Sequence, residues 1–140
     1  MDQKVKDAIY NAVENEPFAK AMQISLVELE LGYSIVEMHY DPEKMNNIYT
    51  RAHGGALFAL IDEAFETASQ TDGTIAVALN VNVIYVSSPE PGVKLRAEAK
   101  RVSQTKKTAS YDIRVCDISG NLIATCSALA YRTGKPMPFL

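Results

Sequence analysis

Apolar and polar positions along the chain change their period several times, and each change marks an element. Over residues 2–14, Val5, Ala8, Ile9, Ala12 and Val13 recur at helical spacing, which predicts a short amphipathic packing helix that ends before Pro17. From residue 24 to 40 the composition turns β-like, with Gly32 reversing 24–31 into 33–40 as a hairpin. Residues 41–52 hold Pro42, Asn46 and Asn47 and read as a long loop, a feature often functional in a compact domain. Residues 53–70 follow as a long stretch, helical by composition from Ala56 onward and apolar on every side in its first half. A helix of that kind is wrapped by the fold rather than laid on its surface.

Beyond the turn at 71–74, four strand-like segments are expected at 75–86, 93–102, 108–117 and 121–132. In the second, Val93, Leu95, Ala97 and Ala99 alternate with Lys94, Arg96, Glu98 and Lys100, an apolar face toward the helix and a charged face toward water. Links this short favour an antiparallel meander. The tail, 134–140, carries two prolines and reads as loosely ordered. The order is helix, two strands, long helix, four strands, an α+β class with an antiparallel sheet around a central helix.

Composition narrows the setting. At 140 residues with 47% hydrophobic content the chain is one domain, 1–140, able to bury a core without staples. No apolar run approaches the roughly 18–20 residues of a membrane span, and the N-terminal residues lack a signal-peptide core, so a cytoplasmic location is expected. Cys116 and Cys126 have neither metal-ligand spacing nor a disulfide framework. A net charge of −3 argues against nucleic acid as a partner.

Candidate chemistry concentrates at the start and middle of the long helix. The two histidines, His39 and His53, belong to no spaced ligand cluster, so no metal is expected, and no phosphate-binding or dinucleotide fingerprint is present. Gly54 and Gly55 leave the helix start bare, where backbone N–H groups have no internal partners and the dipole end is positive. Such a place suits an oxyanion. Asp62 lies at helical spacing from Phe58 and Phe65, a costly position for a charge unless it is paired, hydrated or used. Simpler roles exist: an ion pair of Asp62 with Arg51, a cap made by His53, and an ordinary turn made by Asn47. For Asn80 and Asn82, on one face of a strand, structural hydrogen bonding is the simpler reading.

Taken together, Asn47, His53-Gly54-Gly55 and Asp62 on a long apolar helix, followed by strands, resemble the hotdog-fold acyl-CoA thioesterases of the phenylacetate-pathway (PaaI-like) family over about residues 18–132. The resemblance implies that the Gly54 N–H binds the thioester carbonyl oxygen. It implies further that Asp62 of a partner subunit attacks or activates water, that Asn47 holds water or the acyl carbonyl, and that His53 shapes the turn. His53, Gly55, Phe58, Lys106 and Lys107 are then expected around the substrate, the two lysines, with Arg101 near them, toward the coenzyme A phosphates. Some members carry a hydroxyl residue after the helix where this chain has Ala78, which leaves water to Asn47 or attack to Asp62 itself. A homodimer is implied as the catalytic unit within a homotetramer, with no cofactor, since coenzyme A is part of the substrate. The expected reaction is hydrolysis of an aryl-acyl or medium-chain acyl-CoA. Rival readings are a hotdog hydratase or dehydratase, which usually needs a histidine paired with an acid, and a non-catalytic acyl-CoA binding protein.

Overall fold

The computed structural model describes residues 1–140. Helix α1 (Gln3–Asn15) is capped by Asp2, whose carboxylate accepts the N–H groups of Lys4 and Val5, and it buries the stripe Val5, Ile9 and Val13. A second short helix, α2 (Pro17–Met22), follows directly. Pro17 ends the first helix and begins the next, because its fixed φ suits a first helical position where no N–H is needed.

Strands β1 (Ile24–Glu30) and β2 (Tyr33–His39) form the expected hairpin. Gly32 at the turn has φ +71°, and its N–H donates to Thr71 Oγ1 at 2.7 Å, which ties the hairpin to the far end of the central helix. The loop after β2 contains one helical turn, α3 (Pro42–Met45). Then come the long helix α4 (Gly54–Ser69) and strands β3 (Thr74–Tyr85), β4 (Lys94–Gln104), β5 (Thr108–Asp117) and β6 (Leu122–Pro136).

The strands form one antiparallel six-stranded sheet in the order β1-β2-β4-β5-β6-β3. The expected four-strand meander therefore holds only for β4, β5 and β6. β3 lies at the far edge beside β6, three strand spacings or about 14 Å from β4. The link between β3 and β4 spans that gap in an extended path. Its start is held where Val86 and Ser87 N–H groups donate to Ile123 O, its end where Gly92 N–H donates to Tyr40 O. Pro89 and Pro91 keep the path extended.

The tail is a second departure. β6 continues to Pro136, Met137 is 3% exposed, and its N–H donates to Gly73 O at 3.1 Å. Burial of one apolar side chain and pairing with the start of β3 hold the tail against the body despite its prolines.

Helix α4 lies across the inner face of the sheet. Leu57, Leu60, Ile61, Ala64, Phe65 and Ala68 face Val36 and Met38 of β2, Leu95, Ala97 and Ala99 of β4, and Tyr111, Ile113 and Val115 of β5. Alanines on the sheet let the helix approach closely, and each large aliphatic buried there contributes about 1.5–3 kcal/mol. Ser34 Oγ donates to Ala64 O at 2.7 Å, and Phe65 meets the Tyr111 ring edge-on at 5.4 Å. One stripe of α4 stays uncovered, running from Gly55 through Phe58 and Asp62 to Glu66.

The two sheet edges differ. β1 is flanked by α1, through Tyr10 Oη to Val27 O and an ion pair between Lys6 and Glu30. β3 is open, and Val77, Leu79, Ile84 and Tyr85 are exposed along it. An open apolar edge strand is a pairing surface. No helix is long and apolar enough to cross a membrane.

Candidate active site

The approach to α4 is a knotted turn built by Asn47. Its Oδ1 accepts the N–H groups of Tyr49 and Arg51 at 2.8 and 3.1 Å, and its own N–H donates to Arg51 O at 2.7 Å. Thr50 takes a left-handed φ of +57° inside that turn. The turn role of Asn47 is therefore real, and it occupies only the oxygen; no hydrogen bond within the chain engages Nδ2, which is left as a donor.

Chain direction then reverses at His53, whose N–H donates to Met45 O at 2.7 Å. His53 caps the helix: Nδ1 accepts the Gly55 N–H at 2.8 Å, which places the ring proton on Nε2. With Gly55 N–H used by the cap, and those of Ala56 and Leu57 donated to His53 O, the Gly54 N–H is the donor at this helix start without an acceptor in the chain.

Tyr85, at the end of β3, closes over this point. Its hydroxyl donates to Gly54 O at 3.0 Å, and a Cβ built on Gly54 would lie 3.2 Å from the tyrosine Cζ and Oη. Gly54 is thus bare because a ring already occupies the adjoining space. Tyr85 was not among the expected site residues, although the alternation of Val81, Val83 and Tyr85 on β3 aims all three at the helix side. Asn47, Arg51, Gly54, Leu57, Tyr85 and Ser87 line a shallow cleft of about 400 Å³ at the helix start.

Asp62 is half-buried on the uncovered stripe of α4, one turn beyond the partly exposed Phe58. Phe65, the other expected ring, points into the sheet instead. The proposed pairing with Arg51 is not formed: Arg51 is exposed at the cleft, and Asp62 enters no ion pair. Burial raises the Asp62 carboxyl above the ordinary aspartate range with no opposing charge. Its neighbour Glu63 is pushed up to about 8, first by burial and then by the charges of Glu16, Glu66 and Asp62.

Within one chain these parts do not converge. Asp62 follows Gly54 by eight helical residues, about 12 Å along the axis. A carboxylate must come within about 3 Å of a reacting atom held at the Gly54 N–H. Lys106 and Lys107 stand farther away, in the turn between β4 and β5; Lys107 Nζ lies over the Tyr131 ring at 5.7 Å. Tyr131 pairs with Val77 and Thr108, which puts that turn at the opposite end of β3 from Tyr85, about 26 Å away. The two lysines thus cannot serve the Gly54 cleft of their own chain, and Arg51 is the cation that lines it. Asn80 and Asn82 are exposed, and their side chains make no hydrogen bond in the chain, so they do not act as the structural ties expected of them.

Comparison with known proteins gives this arrangement its relatives. Residues 49–124, which carry α4 and strands β3, β4 and β5, match the family model of the thioesterase superfamily. An Archaeoglobus fulgidus protein, named provisionally as an esterase, is 35% identical over 99% of this chain and 87% of its own length. The acyl-coenzyme A thioesterase PaaI of Escherichia coli is 29% identical over 96% of this chain and 95% of its own. Its structure, from the phenylacetic acid degradation operon, superposes with a TM-score of 0.90, covering 96% of both chains. A Streptococcus mutans protein solved with acetyl-CoA bound is 28% identical, with a TM-score of 0.77 over 81% of this chain and 91% of its own. On the matched family model, the identity to its relatives and the shared sheet-wrapped helix, the chain belongs to the thioesterase superfamily, in its PaaI-like hotdog branch.

Proposed function

We propose that the protein hydrolyses acyl-CoA thioesters at a site shared by two chains, releasing a free acid and coenzyme A. The observation that carries the reading is the unclaimed Gly54 N–H at the capped, positive end of α4, beside an open cleft. As a thioester carbonyl is attacked, its oxygen gains negative charge, and a donor already fixed in place meets that charge without reorganisation. The acetyl-CoA found on the Streptococcus mutans relative and the name of the Escherichia coli one support coenzyme A as the leaving group.

The attacking side comes from Asp62 of the partner subunit. The open apolar edge of β3 favours pairing with a second β3, which extends the sheet and brings the uncovered stripe of one α4 toward the cleft of the other chain. Asp62 then takes a proton from water as the water oxygen bonds to the carbonyl carbon, or its own oxygen forms that bond and water cleaves the resulting anhydride. In either route the carbon–sulfur bond breaks and the thiolate leaves. In this reading Asn47 Nδ2, which no bond in the chain engages, holds the water or the acyl oxygen, and Arg51, which lines the cleft, meets a phosphate. No metal or cofactor enters these steps. The acyl group expected is aryl or medium-chain, held beside Phe58.

The rival hydration chemistry asks for a histidine backed by an acid, and His53 instead spends Nδ1 on the helix cap. The test is release of free thiol from phenylacetyl-, benzoyl- and medium-chain acyl-CoA. Saturable turnover of at least one is expected; binding of all three without thiol release would leave only a carrier or sensor.

A further inference from the structure

On the α1 side of α4, three carboxylates meet. Glu16 lies between α1 and α2, while Glu63 and Glu66 follow one another by three residues on α4, and ligand oxygens of all three lie within 4.8 Å of one another. They line a small cavity of about 60 Å³, closed by Ile9, Val13, Phe139 and Thr67 and bordered by Gln70. No lysine, arginine or histidine lines it, and no ion pair reaches any of the three acids.

A second observation concerns Glu63 alone. The residue is 3% exposed, and its Oε1 is the one buried side-chain oxygen or nitrogen in the chain that lacks a hydrogen-bond partner. Buried polar atoms are satisfied in folded proteins, so an orphaned carboxylate oxygen facing two further carboxylates asks for a positively charged occupant. It is the lack of any basic side chain that decides the kind of occupant. We infer that Glu16, Glu63 and Glu66 form a binding site for one hard divalent cation such as Ca²⁺, Mg²⁺ or Mn²⁺.

The chemistry of the donors sets that class. Three carboxylates and a neighbouring carboxamide offer only oxygen, the ligand set of hard cations rather than of copper or iron–sulfur chemistry. The cavity has room for an ion and one or two waters, each of which takes about 30 Å³ in the liquid. With all three ionised, a dication would reduce their formal charge from −3 to −1 and would satisfy the orphaned Oε1. It would also pin the α1–α2 junction, through Glu16, to the middle of α4. Glu63 follows Gly54 by nine residues, about 14 Å along the helix, so the site is distinct from the Gly54 cleft of its own chain, and it adjoins Asp62, the next residue toward the N-terminus, which the proposed two-chain site presents to the partner. Histidine spacing gives no hint of it, because all its donors are glutamates and one lies 47 positions before the next.

The test begins with wild-type protein stripped by EDTA and freed of chelator. Ca²⁺, Mg²⁺ and Mn²⁺ are titrated separately by calorimetry, with melting temperature followed in parallel. At least one ion is expected to bind at one per chain and to raise the melting temperature. Glu63→Gln and Glu66→Gln, which keep shape and remove charge, are expected to weaken that ion at least tenfold with an unchanged circular dichroism spectrum. Should Glu63→Gln fail to fold, Glu16→Gln at the partly exposed corner gives the same reading. Absence of saturable binding by all three ions up to about 1 mM, the weak end of carboxylate calcium sites, would overturn the inference. Wild-type affinity retained in the folded variants would overturn it as well.

Discussion

Replacing Gly54 by alanine separates a chemical role for this residue from a structural one. Gly54 does not sit at a left-handed φ, so an alanine there meets no backbone strain. Helical alanine is favoured over glycine by up to about 1 kcal/mol. Against this, the new Cβ would lie 3.2 Å from the Tyr85 ring and hydroxyl, so the ring must move by a few tenths of an ångström and its hydrogen bond to Gly54 O is weakened. A hydrogen bond of that kind contributes about 0.5–1.5 kcal/mol. The two effects nearly cancel, and the melting temperature should stay within a few degrees of wild type. Catalysis has no such compensation. On the proposed mechanism the methyl and the displaced ring stand where the thioester oxygen would reach the Gly54 N–H, and loss of one oxyanion donor costs about 10²–10³ in kcat. Tyr85→Phe is the control: it loses the same hydrogen bond without adding bulk, and should lower stability slightly while keeping most of the turnover. The assay is thiol release on the best acyl-CoA, with thermal melts of all three proteins. If Gly54→Ala turns over at wild-type rate, or if stability and turnover fall together in both variants, the oxyanion role of Gly54 is lost.

Further outcomes follow from other residues. Asp62→Asn keeps the shape of the side chain and should lower turnover by at least about a hundredfold, the scale of a lost acid–base or nucleophilic group, with the melting temperature unchanged or raised because no ion pair is broken; near-normal thiol release would refute the assignment. Since burial raises the Asp62 carboxyl, wild-type turnover should decline on the acid side at a pH above that of an ordinary aspartate, which a pH profile of kcat reads directly. Burial alone would raise Asp72, yet its bonds to Thr74 and Arg132 outweigh burial and hold its carboxyl below the usual range. A depressed folded value gives stability that is present above the unfolded pKa and lost as pH falls through the folded one, so Asp72→Asn should cost about 1.5–3 kcal/mol at pH 7 and progressively less below about pH 4 in denaturant melts.

Period and composition were enough to show the elements themselves: the alternation of Val93 to Ala99, the turn at Gly32 and the all-round apolar start of α4 each reflect a local rule that the fold obeys. Strand order was not legible, because it depends on where the Pro89–Pro91 link crosses, and an extended link of that length can reach several partners. The tail was misread for a related reason. Its prolines forbid regular pairing in most positions, but Met137 is buried by the turn at Gly73, a contact made with a segment more than sixty positions away. In the candidate site, Asn47, His53, Gly54 and Asp62 stand out in the sequence because each departs from what its surroundings require. Tyr85 does not, since an aromatic residue at the end of a strand is ordinary until the fold sets it against a glycine. Lys106 and Lys107 stand out by charge, and charge carries no distance: they lie far from the Gly54 cleft of their own chain, so only those of another chain could reach it.

The central claim is that Gly54 of one chain and Asp62 of another make one site. Inactive Gly54→Val protein and inactive Asp62→Asn protein can be dissociated, mixed in equal amounts and reassembled, with exchange confirmed by mass labelling, and thiol release from the best acyl-CoA then measured. A mixed dimer holds one site with both substitutions and one with neither. Random assembly makes half the dimers mixed, so turnover should recover to about a quarter of wild type if the two sites act independently. No recovery, with exchange confirmed, would contradict a site built from two chains.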